Sequence, residues 1–283
     1  MHGEGLIKTV LITGCSTGIG RHCALRLKEE GYRVFAGARK PEDVQALTDL
    51  GLEGILLDLD DSDSIRQAVD EVLARTGGTL DALFNNGAYG QPGAVEDLSR
   101  AALRAQLETN VLGWLELTNL VLPVMRRQGR GRIVMNSSVL GLVALKYRGA
   151  YNCSKFALEG LTDTLRLELS GSGIHVSLIE PGPIESAFRK NAFKAFQDNI
   201  DVKNSAHRTT YEAVVKRLSN QTPGKEPAFT LSPEAVFKPL RHALESRRPR
   251  PRYYVTLPTY FMGWMRRLLP TRWLDPILTR ASD

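Results

Sequence analysis

The sequence predicts an α/β fold, a doubly wound parallel sheet built as a single domain over residues 1–283. Three observations predict it. Short apolar runs rich in β-branched residues recur up to about residue 182, and their flat hydrophobicity suits strands covered on both faces. The stretches between them are long enough for the helical crossovers that parallel strands require. A glycine-rich loop follows the first run, where such folds turn from strand into helix.

Each element has its own signal. TVLITG (9–14) is the first strand, and residues 18–30 follow as a helix with Ile19, Cys23 and Leu27 on one face and Gly31 as the stop. YRVFAGA (32–38) is the second strand, a short helix lies around 41–50, and GILLDLD (54–60) is the third strand. Asp61-Ser62-Asp63 caps a helix to about 75, and LDALFNN (80–86) is the fourth strand. A long helix covers roughly 99–127, GRIVMNSS (131–138) is the fifth strand, 149–171 is another helix, and IHVSLIEPG (174–182) is the sixth strand. The section from about 183 to 230 is polar and weakly periodic, with AFRKNAFKAFQ and YEAVVKRLSN as helices. An insertion there lies at the carboxyl edge of an open sheet, where ligands bind, and it reads as a substrate lid or as an ordinary pair of surface helices. A C-terminal extension runs from about 253 to 283. There is no solenoid-period repeat and no low-complexity tract.

Composition narrows the function classes. With 42% apolar and 24% charged residues the chain has ample material for a core. Its charge of +6 fits nucleic acid, a membrane surface or an anionic cofactor, or a solvated basic tail, since much of it lies late in RHALESRRPRPRYY and MRRLLPTR. No RNA-recognition signature or base-stacking platform accompanies it, which argues against nucleic acid. Cys15, Cys23 and Cys153 form no Cys-x-x-Cys pair and are odd in number, so a disulfide framework is not expected and a reducing cytoplasm is. No signal peptide or transmembrane stretch is evident, and the five histidines lack metal-ligand spacing, so no metal is expected.

The loop Thr13-Gly14-Cys15-Ser16-Thr17-Gly18-Ile19-Gly20 carries the first chemistry. Gly14 permits the tight turn, Gly18 lets backbone approach a pyrophosphate, and Gly20 packs helix against sheet. The helix N-terminus then offers free amides and a positive dipole end to phosphates. The second strand ends Ala38-Arg39-Lys40 with no carboxylate for a ribose 2′-hydroxyl. Arg39 can grip a 2′-phosphate bidentately and Lys40 adds charge, which favours NADP(H), although two basic residues can also simply be exposed there. Asp58-Leu59 is placed to meet the adenine, and Asn85-Asn86 to lie beside the adenosine ribose, unless either serves only as a turn former.

Tyr151 and Lys155 share one face of a helix, a spacing that chance alone often supplies. Ser138 at the end of the fifth strand and Asn110 in the preceding helix give it meaning. Hydride transfer to a carbonyl leaves an alkoxide in need of a proton, and a phenol near its free pKa of about 10 exchanges one poorly at neutral pH. A neighbouring ammonium is expected to lower that pKa, a serine hydroxyl to orient the carbonyl oxygen, and an amide to hold a water of a proton relay.

Together the T-G-x-x-x-G-I-G loop, the Asn-Asn pair, Asn110, Ser138 thirteen residues before Tyr151, Y-x-x-x-K and Pro181-Gly182 resemble the short-chain dehydrogenase/reductase family. The resemblance implies a Rossmann-type fold of about seven parallel strands, a nicotinamide cofactor, and Asn110, Ser138, Tyr151 and Lys155 as a catalytic tetrad. It also implies cofactor contacts from Asn86, Gly87, Ala88, Asn110, Tyr151, Lys155, Pro181, Gly182, Ile184 and Ser186, and a homodimer or homotetramer paired through the helices near 99–127 and 149–171. Two departures stand out: the usual N-N-A-G reads Asn85-Asn86-Gly87-Ala88, and the usual P-G-x-x-x-T ends in Ser186. In detail the chain looks closest to the branch of 17β-hydroxysteroid and retinol dehydrogenases and bacterial NADP-dependent aldehyde reductases.

The tail, 253-YYVTLPTYFMGWMRRLLPTRWLDPIL-278, supports two readings. It folds back as a last strand and apolar pocket wall, or residues 260–274 form a basic amphipathic helix on a membrane surface. Either suits a lipophilic aldehyde or ketone and its alcohol as substrates, with steroid or retinol dehydrogenase activity as the alternative. The rival from another class is a non-catalytic NADPH-binding regulator, which an intact tetrad argues against.

Overall fold

The computed structural model describes residues 8–219 and 229–282. Its strands are β1 (Thr9–Ile12), β2 (Arg33–Ala38), β3 (Glu53–Leu56), β4 (Ala82–Asn85), β5 (Gly131–Asn136), β6 (Ile174–Glu180) and β7 (Arg252–Tyr254). Its helices are α1 (Gly18–Glu29), α2 (Pro41–Asp49), α3 (Ser62–Thr76), α4 (Arg100–Leu107), α5 (Gly113–Gln128), α6 (Gly149–Glu168), α7 (Phe188–Asn199), α8 (Arg208–Ser219), α9 (Glu234–Glu245), α10 (Leu257–Leu268) and α11 (Thr271–Ser282). The strands form one sheet in the order β3-β2-β1-β4-β5-β6-β7, with every pairing parallel.

Alternation along the strands feeds two cores. Val10, Ile12, Phe84, Val134 and Ile179 face the layer of α1, α2 and α9. Leu11, Leu83, Ile133 and Leu178 face the layer of α3, α5 and α6. Because both faces are covered, the inner strands read as continuous apolar runs rather than alternating ones. The chain leaves β1 toward β2 on one side and returns to β4 on the other. That reversal opens a crevice at the carboxyl ends of β1 and β4, and the loops there form the site.

Several boundaries differ from the sequence expectation. The helix expected over 99–127 is α4, a five-residue π-helical turn (Glu108–Leu112), and α5. The fifth strand stops at Asn136, so Ser138 lies two residues past it, at the N-cap of a 3₁₀ turn over Val139–Gly141. β3 ends at Leu56, which leaves Asp58 and Leu59 in the following loop. Within the expected 183–230 insertion, Phe196, Ile200 and Tyr211 of α7, α8 and their joint build a small core on Ala94 with Tyr147; residues 220–228 lie outside the described residues. The tail supplies both β7, as a last strand, and two further helices.

Candidate active site

The loops after β1, β4 and β5 are tied together before any ligand is considered. The buried Thr13 hydroxyl accepts from the amides of Asn86 (2.9 Å) and Gly87 (2.8 Å). Asn86 donates to the Thr13 carbonyl at 3.0 Å, and its amide oxygen accepts from Asn136 at 2.8 Å. Gly14 sits at φ +69°, and a Cβ there would lie 2.5 Å from the Gly87 Cα. A Cβ on Gly20 would lie 2.3 Å from the Gly14 carbonyl oxygen, so only glycine lets α1 start this close to the loop. Thr17, the N-cap of α1, makes no side-chain capping bond. The first amides of α1 are thereby left to a ligand, and the helix dipole favours an anion there. Ser16 and Ile19 are half-buried beside this cradle, and Ser186 closes it from the far side, against Gly18. The residues fit a dinucleotide pyrophosphate.

Arg39 and Lys40 are exposed directly beyond β2. Lys40 is drawn toward Glu42, at 3.7 Å. Arg39 lies close enough to Asp60 and Tyr89 that its charge favours their ionised forms, against the burial that raises both. Asp58 is half-buried, and its carboxylate accepts from the Asp60 amide at 3.1 Å; Leu59 is buried against Gly113 at the start of α5. The two adjacent asparagines separate: Asn86 holds the glycine loop, whereas Asn85 is fully buried and donates to Thr118 at 3.0 Å, in the core rather than beside a ribose. The residue after Gly87, Ala88, packs on the same core.

Ser138, Tyr151 and Lys155 meet at the carboxyl edge of β5. The Ser138 hydroxyl accepts from the Leu140 amide at 3.1 Å and favours ionisation of the Tyr151 phenol beside it. Lys155, 1% exposed, donates to the Asn136 carbonyl at 2.8 Å, with its ammonium 4.6 Å from the Trp114 ring centroid and 5.6 Å from that of Tyr151. The expected lowering of the phenol does not hold without ligands. Desolvation pushes Tyr151 up to about 12, with only Ser138 opposing, and burial pulls Lys155 down to about 7, with Glu159 opposing. The lysine is itself too deeply buried to act as a strong positive neighbour.

Asn110 also differs from expectation. It lies in the π-helical turn, a local widening frequent at functional sites. Its amide oxygen accepts from the Tyr89 amide (3.2 Å), and its amide nitrogen donates to the Tyr89 carbonyl (2.9 Å) and to Ser154 (3.1 Å). The side chain therefore ties the 89 loop to α6. Pro181 and Gly182 continue β6, and the Pro181 carbonyl accepts from Val139 at 2.8 Å. Ile184 bridges to Leu231, which anchors the return of the chain beside Ser186.

Several residues at the site had no recognisable sequence signal. Phe188, the first residue of α7, packs edge-on against Tyr151 with centroids 5.3 Å apart, so the helical segment reaches the phenol itself. Trp114 donates to the Gly87 carbonyl at 2.8 Å while its ring covers Lys155. One turn beyond Lys155, Glu159 accepts from Ser137 and from Arg252, which also binds Glu180 and Asp163, both at 2.5 Å. Glu180 is fully buried, and burial beside Glu159 holds its carboxyl well above the usual range in spite of Arg252. Among the described residues, no three His, Cys, Asp or Glu side chains group as metal ligands.

A phosphate cradle at the switch point of a parallel sheet, with a serine, tyrosine and lysine converging at its carboxyl edge, suits a nicotinamide-dependent oxidoreductase. Residues 8–197 match the short chain dehydrogenase family, and the chain belongs to it. It is 45% identical to the oxidoreductase YbbO of Escherichia coli over 98% of this chain and 96% of that one. It is 34% identical to retinol dehydrogenase 5 of Mus musculus over 95% and 87% of the two chains. Among solved structures it superposes on actinorhodin polyketide ketoreductase with NADPH at a TM-score of 0.71 and 27% identity, covering 88% and 95%.

Proposed function

We propose that the chain is an NADP(H)-dependent oxidoreductase that interconverts a lipophilic aldehyde or ketone and its alcohol. The observation that carries this is the convergence of the Ser138 hydroxyl, the Tyr151 phenol and the Lys155 ammonium beside the cradle. Reduced nicotinamide, when bound, would supply a hydride for the carbonyl carbon. Ser138 orients the carbonyl oxygen, and Tyr151, protonated at neutral pH, gives that oxygen its proton as the alcohol forms. In the reverse direction tyrosinate takes the proton back. Lys155 would hold the nicotinamide ribose from beside the phenol, and Asn110 fixes the geometry of the 89 loop and α6.

Ser16, Thr17, Gly18, Ile19 and Gly20 hold the pyrophosphate. Asp58, Leu59, Asn86, Gly87 and Ala88 line the adenosine side, and Pro181, Gly182, Ile184 and Ser186 the nicotinamide side. Arg39 with Lys40 receives the 2′-phosphate, a reading supported by the absence of a carboxylate at the end of β2 and by NADPH in the polyketide ketoreductase structure. The lid is α7–α8, and Phe188 makes the substrate side apolar. A retinoid or steroid is the second reading, favoured by the likeness to retinol dehydrogenase 5 along nearly the whole chain. A cytoplasmic homodimer or homotetramer is supported by free cysteines and by exposed Leu115, Phe156, Leu161 and Leu167 on α5 and α6. The deciding experiment follows NADPH and NADH absorbance with a panel of aliphatic aldehydes, retinoids and steroids. Consumption of neither cofactor with any carbonyl would sink the proposal, and equal use of both would sink its phosphate part.

A further inference from the structure

The end of the chain inverts the usual arrangement of an amphipathic helix. α10 docks through Thr259, Gly263 and Met265: Gly263 lies on the Tyr254 ring, and Gly182 is pressed against Thr256 and Thr259. On the opposite face, Leu257, Phe261, Trp264 and Leu268 are 73%, 58%, 59% and 71% exposed. These four follow i, i+4, i+7, i+11 and form one continuous stripe pointing away from the core. Tyr260 flanks it, and Trp273 of α11 is also exposed, with the Arg272 guanidinium 5.8 Å from its centroid. Residues 257–282 also carry Arg266, Arg267, Arg272 and Arg280, all exposed, against the single acidic residue Asp275. So large an apolar stripe left in water marks a contact surface.

We infer that the α10–α11 face is a docking surface for a bilayer containing anionic lipid. Leucine and phenylalanine reach the acyl boundary, Trp264 and Trp273 suit the interfacial layer, and the arginines reach lipid phosphates. A second copy fits less well, because a two-fold contact would set four arginines against four others with almost no acidic counterpart. Among the described residues no helix is long and apolar enough to cross a membrane, so α10, about 18 Å long, lies in the interface plane. α10 also packs on the 3₁₀ turn that follows Ser138, so the docked protein holds its active-site rim at the lipid surface, where a lipophilic substrate dissolves. The docking itself does not depend on the substrate reading.

The test is co-sedimentation of the full-length protein with vesicles of phosphatidylcholine alone and of phosphatidylcholine mixed with phosphatidylglycerol. Binding is expected to the anionic vesicles and to weaken with salt. Phe261→Ser with Trp264→Ser is expected to abolish it, and Arg266→Gln with Arg267→Gln to weaken it by about tenfold or more. All four side chains are exposed, so unchanged thermal unfolding confirms that the variants fold. Failure of the parent to bind anionic vesicles overturns the inference, as does undiminished binding by the stripe variant. A stripe variant that changes only the sedimenting mass of the protein assigns the face to a second copy and overturns it as well.

Discussion

Lys155 donates its hydrogen bond to the carbonyl of Asn136, 2.8 Å away, and in doing so is sealed between β5 and the Trp114 ring. Burial there favours the neutral amine and lowers its pKa from the usual 10.5 to about 7. In an unfolded chain the amine keeps its ordinary affinity for protons. The folded state is therefore penalised fully below about 7 and not at all above 10.5, so this group makes the ligand-free protein more stable as pH rises between those values. Thermal unfolding across that range is expected to show the rise, and Lys155→Met to flatten it; parallel curves would remove lysine burial as the cause.

Tyr151→Phe deletes one hydroxyl and leaves the ring packed on Phe188. Loss of a general acid is expected to cost about two to four orders of magnitude in kcat, while NADPH binding followed by fluorescence stays near that of the parent. Turnover at the parental rate would refute the proton-transfer role.

Arg39→Ala is expected to raise the KM for NADPH by about tenfold or more and to leave that for NADH nearly unchanged, as loss of a charge-assisted phosphate contact predicts. Equal losses with the two cofactors would assign Arg39 to Asp60 and the 89 loop instead.

Arg252→Met strands Glu159 and Glu180 as a buried carboxylate pair. Breaking such a group by removing one partner is expected to destabilise by about 3–5 kcal/mol in denaturant unfolding. The carboxyl of Glu180 already binds its proton more tightly than in the unfolded chain, so its contribution is present at low pH and falls as pH rises. Adding Glu180→Gln should recover part of the loss, most of all at neutral and higher pH. No recovery would assign the loss to Glu159 or Asp163 instead.

The sheet was legible because flat apolar strands and capped amphipathic helices are local patterns, and Asp61 does cap α3 by accepting from Asp63. What escaped was geometry that no period carries. A π-helical turn adds a residue to a helix without changing its composition, so 99–127 reads as unbroken and Asn110 reads as a free amide. Asn85 and Asn86 are chemically identical in sequence, and only their alternation about the strand sends one into the core. The tyrosine and lysine were readable as a pair, but the depth that shifts both is a tertiary property. Glu159, Glu180 and Arg252 come from three distant parts of the chain, and nothing in their local context announces that they meet.

That meeting has a consequence for biosynthesis. Every other residue assigned to the cofactor or the chemistry precedes β7, and all of them leave the ribosome before Arg252 does. Until the last strand arrives, the acidic pair under Ser137 and Pro181 has no cation, and the edge of β6 is open. Arg252 is thus the last of these side chains to be synthesised, and the buried acidic pair gains its cation only with the final strand.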